Sequence, residues 1–182
     1  GTAFIDISDP KNPIFLGKLS TASSPSLWRD VKVYKNYAFI VSEAPNHGLQ
    51  VFDLTRLRTQ VFQNFSADII LSDFGNAHNL WINESTGYAY IFGSNLYQGG
   101  PWFVDIKDPL NPEIVGGYAD DSYTHDAQIV IYQGPDTEFR GREILFGSNS
   151  DGRENNQIVI IDVTNKSNPV KISSTTYLAS GY

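Results

Sequence analysis

The sequence predicts an all-β fold, a β-propeller of four-stranded antiparallel blades, and three observations carry that prediction. Four segments redraw one another: Thr2 to Pro13 (TAFIDISDPKNP), Leu49 to Gln60 (LQVFDLTRLRTQ), Gly100 to Pro112 (GPWFVDIKDPLNP) and Gln157 to Pro169 (QIVIIDVTNKSNP). Each is an apolar run closed by an aspartate, and Asp6, Asp53, Asp105 and Asp162 recur at spacings of 47, 52 and 57 residues. A period near fifty built from strand and turn signals points to propeller blades. Finally, no stretch of ten or more residues shows a 3.6-residue apolar period, and the chain is rich in Val, Ile, Thr and aromatics, the composition of strands.

Taken in order, Thr2 to Asp6 and Ile14 to Leu19 are two strands around the turn Ser8 to Pro13, whose prolines exclude a central ladder position. They make half a blade over residues 1–20. Asp30 to Tyr34 and Tyr37 to Ser42 then form a hairpin about Lys35-Asn36, Gly48 to Leu54 is a third strand, and a fourth lies within Gln60 to Leu71. The pattern restarts at His78 to Ile82, followed by Tyr88 to Gly93, Trp102 to Ile106 and Glu113 to Tyr118. It restarts again at Asp126 to Tyr132, where an enlarged turn from Gln133 to Arg142 precedes Glu143 to Gly147, Gln157 to Val163 and Val170 to Thr176. The reading is one incomplete propeller domain over 1–182, with whole blades at about 26–71, 76–119 and 123–178. Closed propellers need about four to eight blades, so further blades, or strands from a neighbouring chain, are expected partners.

A net charge of −7, with Lys and Arg scattered singly, excludes a phosphate-tracking surface, and nucleic acid is not an expected partner. No apolar run approaches the roughly 18–20 residues of a membrane span. The chain has no cysteine, which rules out disulfides and thiolate metal ligands, and no methionine; a processed chain or a fragment is expected.

The third strands LQVFD (Leu49 to Asp53), PWFVD (Pro101 to Asp105) and IVIID (Ile158 to Asp162) resemble the LVIVD repeat, specifically the propellers called choice-of-anchor B proteins. The turn Ser8 to Pro13, His78-Asn79-Leu80 followed by Asn83 to Gly87, Tyr123 to Gln128, and Gly134 to Glu138 with Gly141 to Ile144 carry the same resemblance. It implies a secreted propeller displayed on a cell surface. The sequence departs from the pattern after Asp53, where Leu54 to Gln60 replaces a DPxNP turn, and it shows no anchor.

The repeated aspartates invite a catalytic or calcium reading, but a residue required in every blade suits a fold role, accepting hydrogen bonds from the amides of the turn that follows. The loop carboxylates Asp120, Asp121, Asp136, Glu138, Asp151 and Glu154 are oxygen ligands that suit calcium; without EF-hand spacing they read as solvated acidic loops. No GxSxG elbow accompanies the Ser, His and Asp present, so nucleophilic hydrolysis is not supported. Gly99-Gly100 and Gly116-Gly117 have no following helix to bind phosphate and read as turn geometry.

Aligning the blades sets Trp28-Arg29-Asp30 beside Ala77-His78-Asn79 and Thr124-His125-Asp126. First strands border the propeller channel, so Arg29, His78 and His125 should converge at its mouth with Asp30, Asn79 and Asp126 behind. Either His78, His125 and Asp126 hold a divalent metal, zinc or calcium, or the ring is a polar lining. Asn64, Asn83 and Asn165 fit the N-glycosylation acceptor; Asn83 and Asn165 are expected in solvent-facing turns and Asn64 on an outer strand. The leading functional reading is a secreted, surface-displayed module that binds protein or glycan through its loops without catalysis. One alternative is a metal-dependent enzyme at the channel mouth. The other is a subunit of an extracellular filament or sheath.

Overall fold

The computed structural model describes residues 1–59, 62–150 and 156–177. Its elements are strands β1 (Thr2–Asp6), β2 (Ile14–Leu19), β3 (Arg29–Tyr34), β4 (Tyr37–Ser42), β5 (Leu49–Asp53), β6 (Gln63–Phe65), β7 (Ile69–Leu71), β8 (Asn79–Asn83), β9 (Tyr88–Phe92), β10 (Trp102–Asp105), β11 (Glu113–Gly117), β12 (Thr124–Ile131), β13 (Glu143–Asn149), β14 (Gln157–Asp162) and β15 (Val170–Thr176). Between them lie three short 3₁₀ turns, and no α-helix occurs among the described residues. Three antiparallel four-stranded sheets run β3-β4-β5-β7, β8-β9-β10-β11 and β12-β13-β14-β15. The chain is an all-β, partial β-propeller.

The repeat aspartates play the same part in every sheet. The Oδ1 of Asp6, Asp53, Asp105 and Asp162 accepts the amide two residues on, from Ser8 at 2.8 Å, Thr55 at 2.8 Å, Lys107 at 2.9 Å and Thr164 at 3.0 Å. Each turn amide left unpaired by the end of the ladder is satisfied locally, which explains the recurrence without chemistry. Asp9, Asp108 and Asn165 build a second such turn, taking the amides of Lys11, Leu110 and Ser167. After Asp53 a 3₁₀ turn over Leu54–Thr59 stands in that place. Hydrogen bonds from Ser8 hold the Asp6 carboxyl below its ordinary pKa. Burial works against Asp105, but the bonds from Lys107 outweigh it and its pKa is also lowered.

The expected single fourth strand within Gln60 to Leu71 is two strands. Ile69–Leu71 closes the second sheet beside β5, whereas Gln63–Phe65 crosses to the preceding sheet and pairs in parallel with β2. The half blade is therefore a three-stranded sheet, β1-β2-β6. Gly17 permits this, because a Cβ there would lie 2.3 Å from the Gln63 carbonyl oxygen. Gly116 does the same between the third and fourth sheets: a Cβ would lie 1.8 Å from the Lys166 carbonyl oxygen. Both glycines oppose the residue before a register shift, at Phe4/Ile5 and Phe103/Val104, so close approach of the next blade, and not turn geometry, requires Gly116.

Apolar side chains alternate between the faces of each sheet and fill the spaces between sheets. Phe39, Val41 and Val51 meet Leu80, Ile82, Ala89, Ile91 and Trp102 between the second and third sheets. Tyr90, Phe92 and Phe103 meet Ala127, Ile129 and Leu145 between the third and fourth.

Candidate functional site at the channel mouth

Strand register confirms the alignment of the first strands. Asp30 pairs with Val41, Asn79 with Phe92 and Asp126 with Ser148, at the same step of each sheet. Their Oδ1 atoms accept the amide of the next residue, Val31 at 2.8 Å, Leu80 at 2.9 Å and Ala127 at 2.8 Å. The first strand has no partner on its channel side, and this side-chain bond takes up one amide of that open edge in each blade. Asp30 also accepts Leu80 N at 3.2 Å, tying neighbouring blades, and pairs with Lys32 at 2.6 Å.

His78 and His125 do converge: their ring centroids are 4.4 Å apart with planes at 45°. The Trp28 ring lies 6.1 Å from His78 on the other side. Glu43, just past β4, accepts the Nδ1–H of His78 at 2.6 Å. Burial lowers the His125 pKa and the His78 charge adds to that, against the opposing pull of Asp126 and Glu43. Trp28 and Glu43, His78, and His125 thus come from three successive sheets and form one partly exposed row.

Arg29 does not join this row by the interactions expected of it. Its guanidinium donates to Thr21 Oγ1 at 2.6 Å and to His47 Nε2 at 3.2 Å. His47 in turn donates Nδ1–H to the Gly48 carbonyl at 3.0 Å and is fully buried. Burial, with the Arg29 charge behind it, holds the His47 pKa down. The arginine is committed to its own blade, and the indole of Trp28 supplies the third ring instead. Glu43 was not legible in the repeat, because Ser94 and Ser150 occupy the matching positions of the next two sheets.

Among the described residues no group of three or more His, Asp or Glu side chains is arranged to hold a metal ion. Of the loop carboxylates, Asp151 and Glu154 lie outside the described residues. Asp121 is buried, paired with Lys171 at 2.9 Å and hydrogen-bonded by the Tyr118 hydroxyl, so it is not a solvated loop group. Asp136 and Glu138 stay exposed.

The expectation of a solvent-facing Asn83 is corrected. Its side chain is 8% exposed, and its Nδ2 donates to Glu143 Oε1 at 2.5 Å across the third and fourth sheets. The nitrogen that a glycan would use is enclosed between two blades. Asn165, in its turn, and Asn64, on β6, are both exposed.

The family model of the LVIVD repeat matches residues 3–21, 28–54 and 152–176. The third sheet, outside these matches, repeats the strand order and register of the sheets on either side. No curated protein matches the chain.

Proposed function

We propose that the chain is part of an extracellular, surface-displayed binding propeller, of the choice-of-anchor B kind, whose ligand, protein or glycan, docks at the channel mouth. The observation that carries this reading is the row of rings from three successive sheets, Trp28, His78 and His125, with the Glu43 carboxylate against its middle member. Trp28 is 60% exposed and immediately precedes β3, its carbonyl accepting the Glu43 amide at 3.2 Å. A large aromatic ring offers contact area at little cost in conformational entropy. Such anchors dominate recognition sites. No helix among the described residues is long and apolar enough to cross a membrane.

The test is a titration of oligosaccharides and cell-surface proteins against the chain and its Trp28→Ala variant. A ligand whose affinity falls about tenfold or more in the variant, with the fold unchanged, supports the site, ten-fold being about 1.4 kcal/mol. Ligands indifferent to Trp28→Ala overturn it. A divalent metal on His78, His125 and Asp126 is a second reading, favoured by the Glu43–His78 pair, since a carboxylate behind a ligating imidazole is the usual outer-shell arrangement. Stoichiometric zinc or calcium by elemental analysis, lost in His78→Ala/His125→Ala, supports it; metal-free wild-type protein after loading and desalting removes it.

Secretion carries its own expected outcome. Protein from a eukaryotic secretory source should bear glycans at Asn165 and at Asn64, where side chains face solvent, and none at the enclosed Asn83. Intact mass before and after glycosidase treatment checks it, and a mass without glycan takes this support away.

A further inference from the structure

Three residues that depart from the repeat meet at one point between the third and fourth sheets. Four residues after Asp30, Asn79 and Asp126 stand Tyr34, Asn83 and Val130. Just before the residues that pair with Asp53, Asp105 and Asp162 stand Asn36, Gly87 and Glu143. Four residues after Asp6, Asp105 and Asp162 stand Pro10, Pro109 and Lys166. Neither ladder nor turn asks for a carboxamide, a carboxylate or an amine in these places, yet Asn83, Glu143 and Lys166 are buried together. Asn83 closes β8 at the end away from the ring row.

The Glu143 carboxylate holds one of the other two on each of its oxygens. Lys166 Nζ donates to Oε2 at 2.8 Å and Asn83 Nδ2 to Oε1 at 2.5 Å, so an amine and a carboxamide share one group able to carry protons between them. The Asn83 carbonyl oxygen accepts the Ser85 hydroxyl at 2.7 Å and the Ser85 amide at 3.2 Å. Two donors on a carbonyl oxygen stabilise the charge that develops there when its carbon is attacked. The Tyr88 and Tyr90 rings lie 4.3 and 5.8 Å from Nζ, and Tyr90 is fully buried, so aromatic walls keep water from the group. A buried ion pair needs neither the carboxamide nor its two donors; an acyl transfer needs both.

We propose that Lys166 and Asn83 join in an intramolecular isopeptide bond, catalysed by Glu143, that locks the third blade to the fourth. A proton first passes from Nζ to Glu143 Oε2 along their hydrogen bond, leaving a neutral amine and a neutral acid. The Nζ lone pair then attacks Asn83 Cγ, and the carbonyl electrons move onto Oδ1, where Ser85 holds them. Through the same carboxyl group a second Nζ proton reaches Nδ2; the Cγ–Nδ2 bond breaks, and ammonia leaves with that electron pair. An ammonium, a carboxylate and a carboxamide thus become a secondary amide, a neutral Glu143 acid and ammonia, which balances atoms and charge with no other reagent. Two desolvated charges give way to neutral groups, which favours the product in a dry interface. Fixed placement turns a slow bimolecular aminolysis into an intramolecular step. The tie between positions 83 and 166 restricts the unfolded chain as a disulfide would, in a sequence without cysteine.

Intact-mass spectrometry of the full 182-residue chain, with peptide mapping, tests the bond. The folded protein should weigh about 17 Da less than its sequence, the ammonia lost. A protease digest should yield one branched peptide carrying both Asn83 and Lys166. Lys166→Arg keeps a cation beside Glu143 but offers no amine, and Glu143→Gln keeps the shape without the proton carrier. Both should show the full sequence mass, with circular dichroism confirming their folds. A folded wild type at its full sequence mass overturns the proposal. So does an ammonia loss that mapping places elsewhere in the chain, or one that persists in Lys166→Arg. A branched peptide in Glu143→Gln overturns the part given to Glu143. Should either variant fail to fold, the wild-type mass and the branched peptide decide by themselves.

Discussion

Lys166→Met is expected to destabilise the fold by about 3–5 kcal/mol, the cost of leaving a buried partner charge uncompensated. The side chains of Lys166 and Glu143 are 8% and 4% exposed, and Nζ lies 2.8 Å from Glu143 Oε2. Lys166 also donates to the Val163 carbonyl at 2.7 Å and sits 4.3 Å from the centre of the Tyr88 ring. The other carboxylate oxygen of Glu143 accepts Asn83 Nδ2 at 2.5 Å and the Thr86 hydroxyl at 2.8 Å. One carboxylate therefore joins the hairpin turn of the third sheet to the post-strand turn of the fourth. Burial, and then this carboxylate, push the Tyr90 phenol above its ordinary pKa, which marks how little water reaches the site. Denaturant unfolding of the wild type and of Lys166→Met measures the cost. The double variant Lys166→Met/Glu143→Gln should lose less, because a neutral amide oxygen still accepts from Asn83 and Thr86 without an unpaired charge. A loss below about 1 kcal/mol for Lys166→Met would place the pair with exposed ion pairs instead.

This pair shows where sequence reading stops. Period and alternation expose anything that repeats: the aspartates at 6, 53, 105 and 162, the three complete sheets, and the common position of Asp30, Asn79 and Asp126. They do not expose interactions made once. Glu143 and Lys166 are charged and sit at a strand start and in a turn, positions that ordinarily face water, and only the packing of two blades encloses them. Asn83 misleads for the same reason, since a sequon in a hairpin turn says nothing of a carboxylate waiting on the next sheet. Gln63–Phe65 is too short for alternation to register, and its parallel pairing with β2 depends on residues more than forty positions away. His47 diverts Arg29 from the channel mouth, although no repeat position announces it. The fold was legible because each blade restates it; the candidate site was half legible because only His78 and His125 recur, whereas Trp28 and Glu43 enter from one blade alone.

Trp102→Ala is the second large effect expected, again about 3–5 kcal/mol, the range for emptying an aromatic position in a core. The strand positions matching Trp102, three residues before each repeat aspartate, hold Ala3, Gln50 and Val159. An indole there is particular to the third sheet. It is fully buried between the second and third sheets, with the Phe74 ring edge-on at 4.4 Å and 65°. Phe74 follows β7 in the loop that carries the chain from one blade to the next, so the pair closes the end of the interface that holds Leu49, Leu80 and Ile91. Alanine would leave a void beside the Phe74 ring that strands paired on both sides cannot collapse to fill. Trp102→Phe keeps most of the volume and should cost less than half as much. Denaturant midpoints of the two variants, with near-ultraviolet circular dichroism for the loss of the packed indole, provide the comparison. If Trp102→Ala costs no more than Trp102→Phe, the interface relaxes around the void and the second and third blades are not held rigidly by this pair.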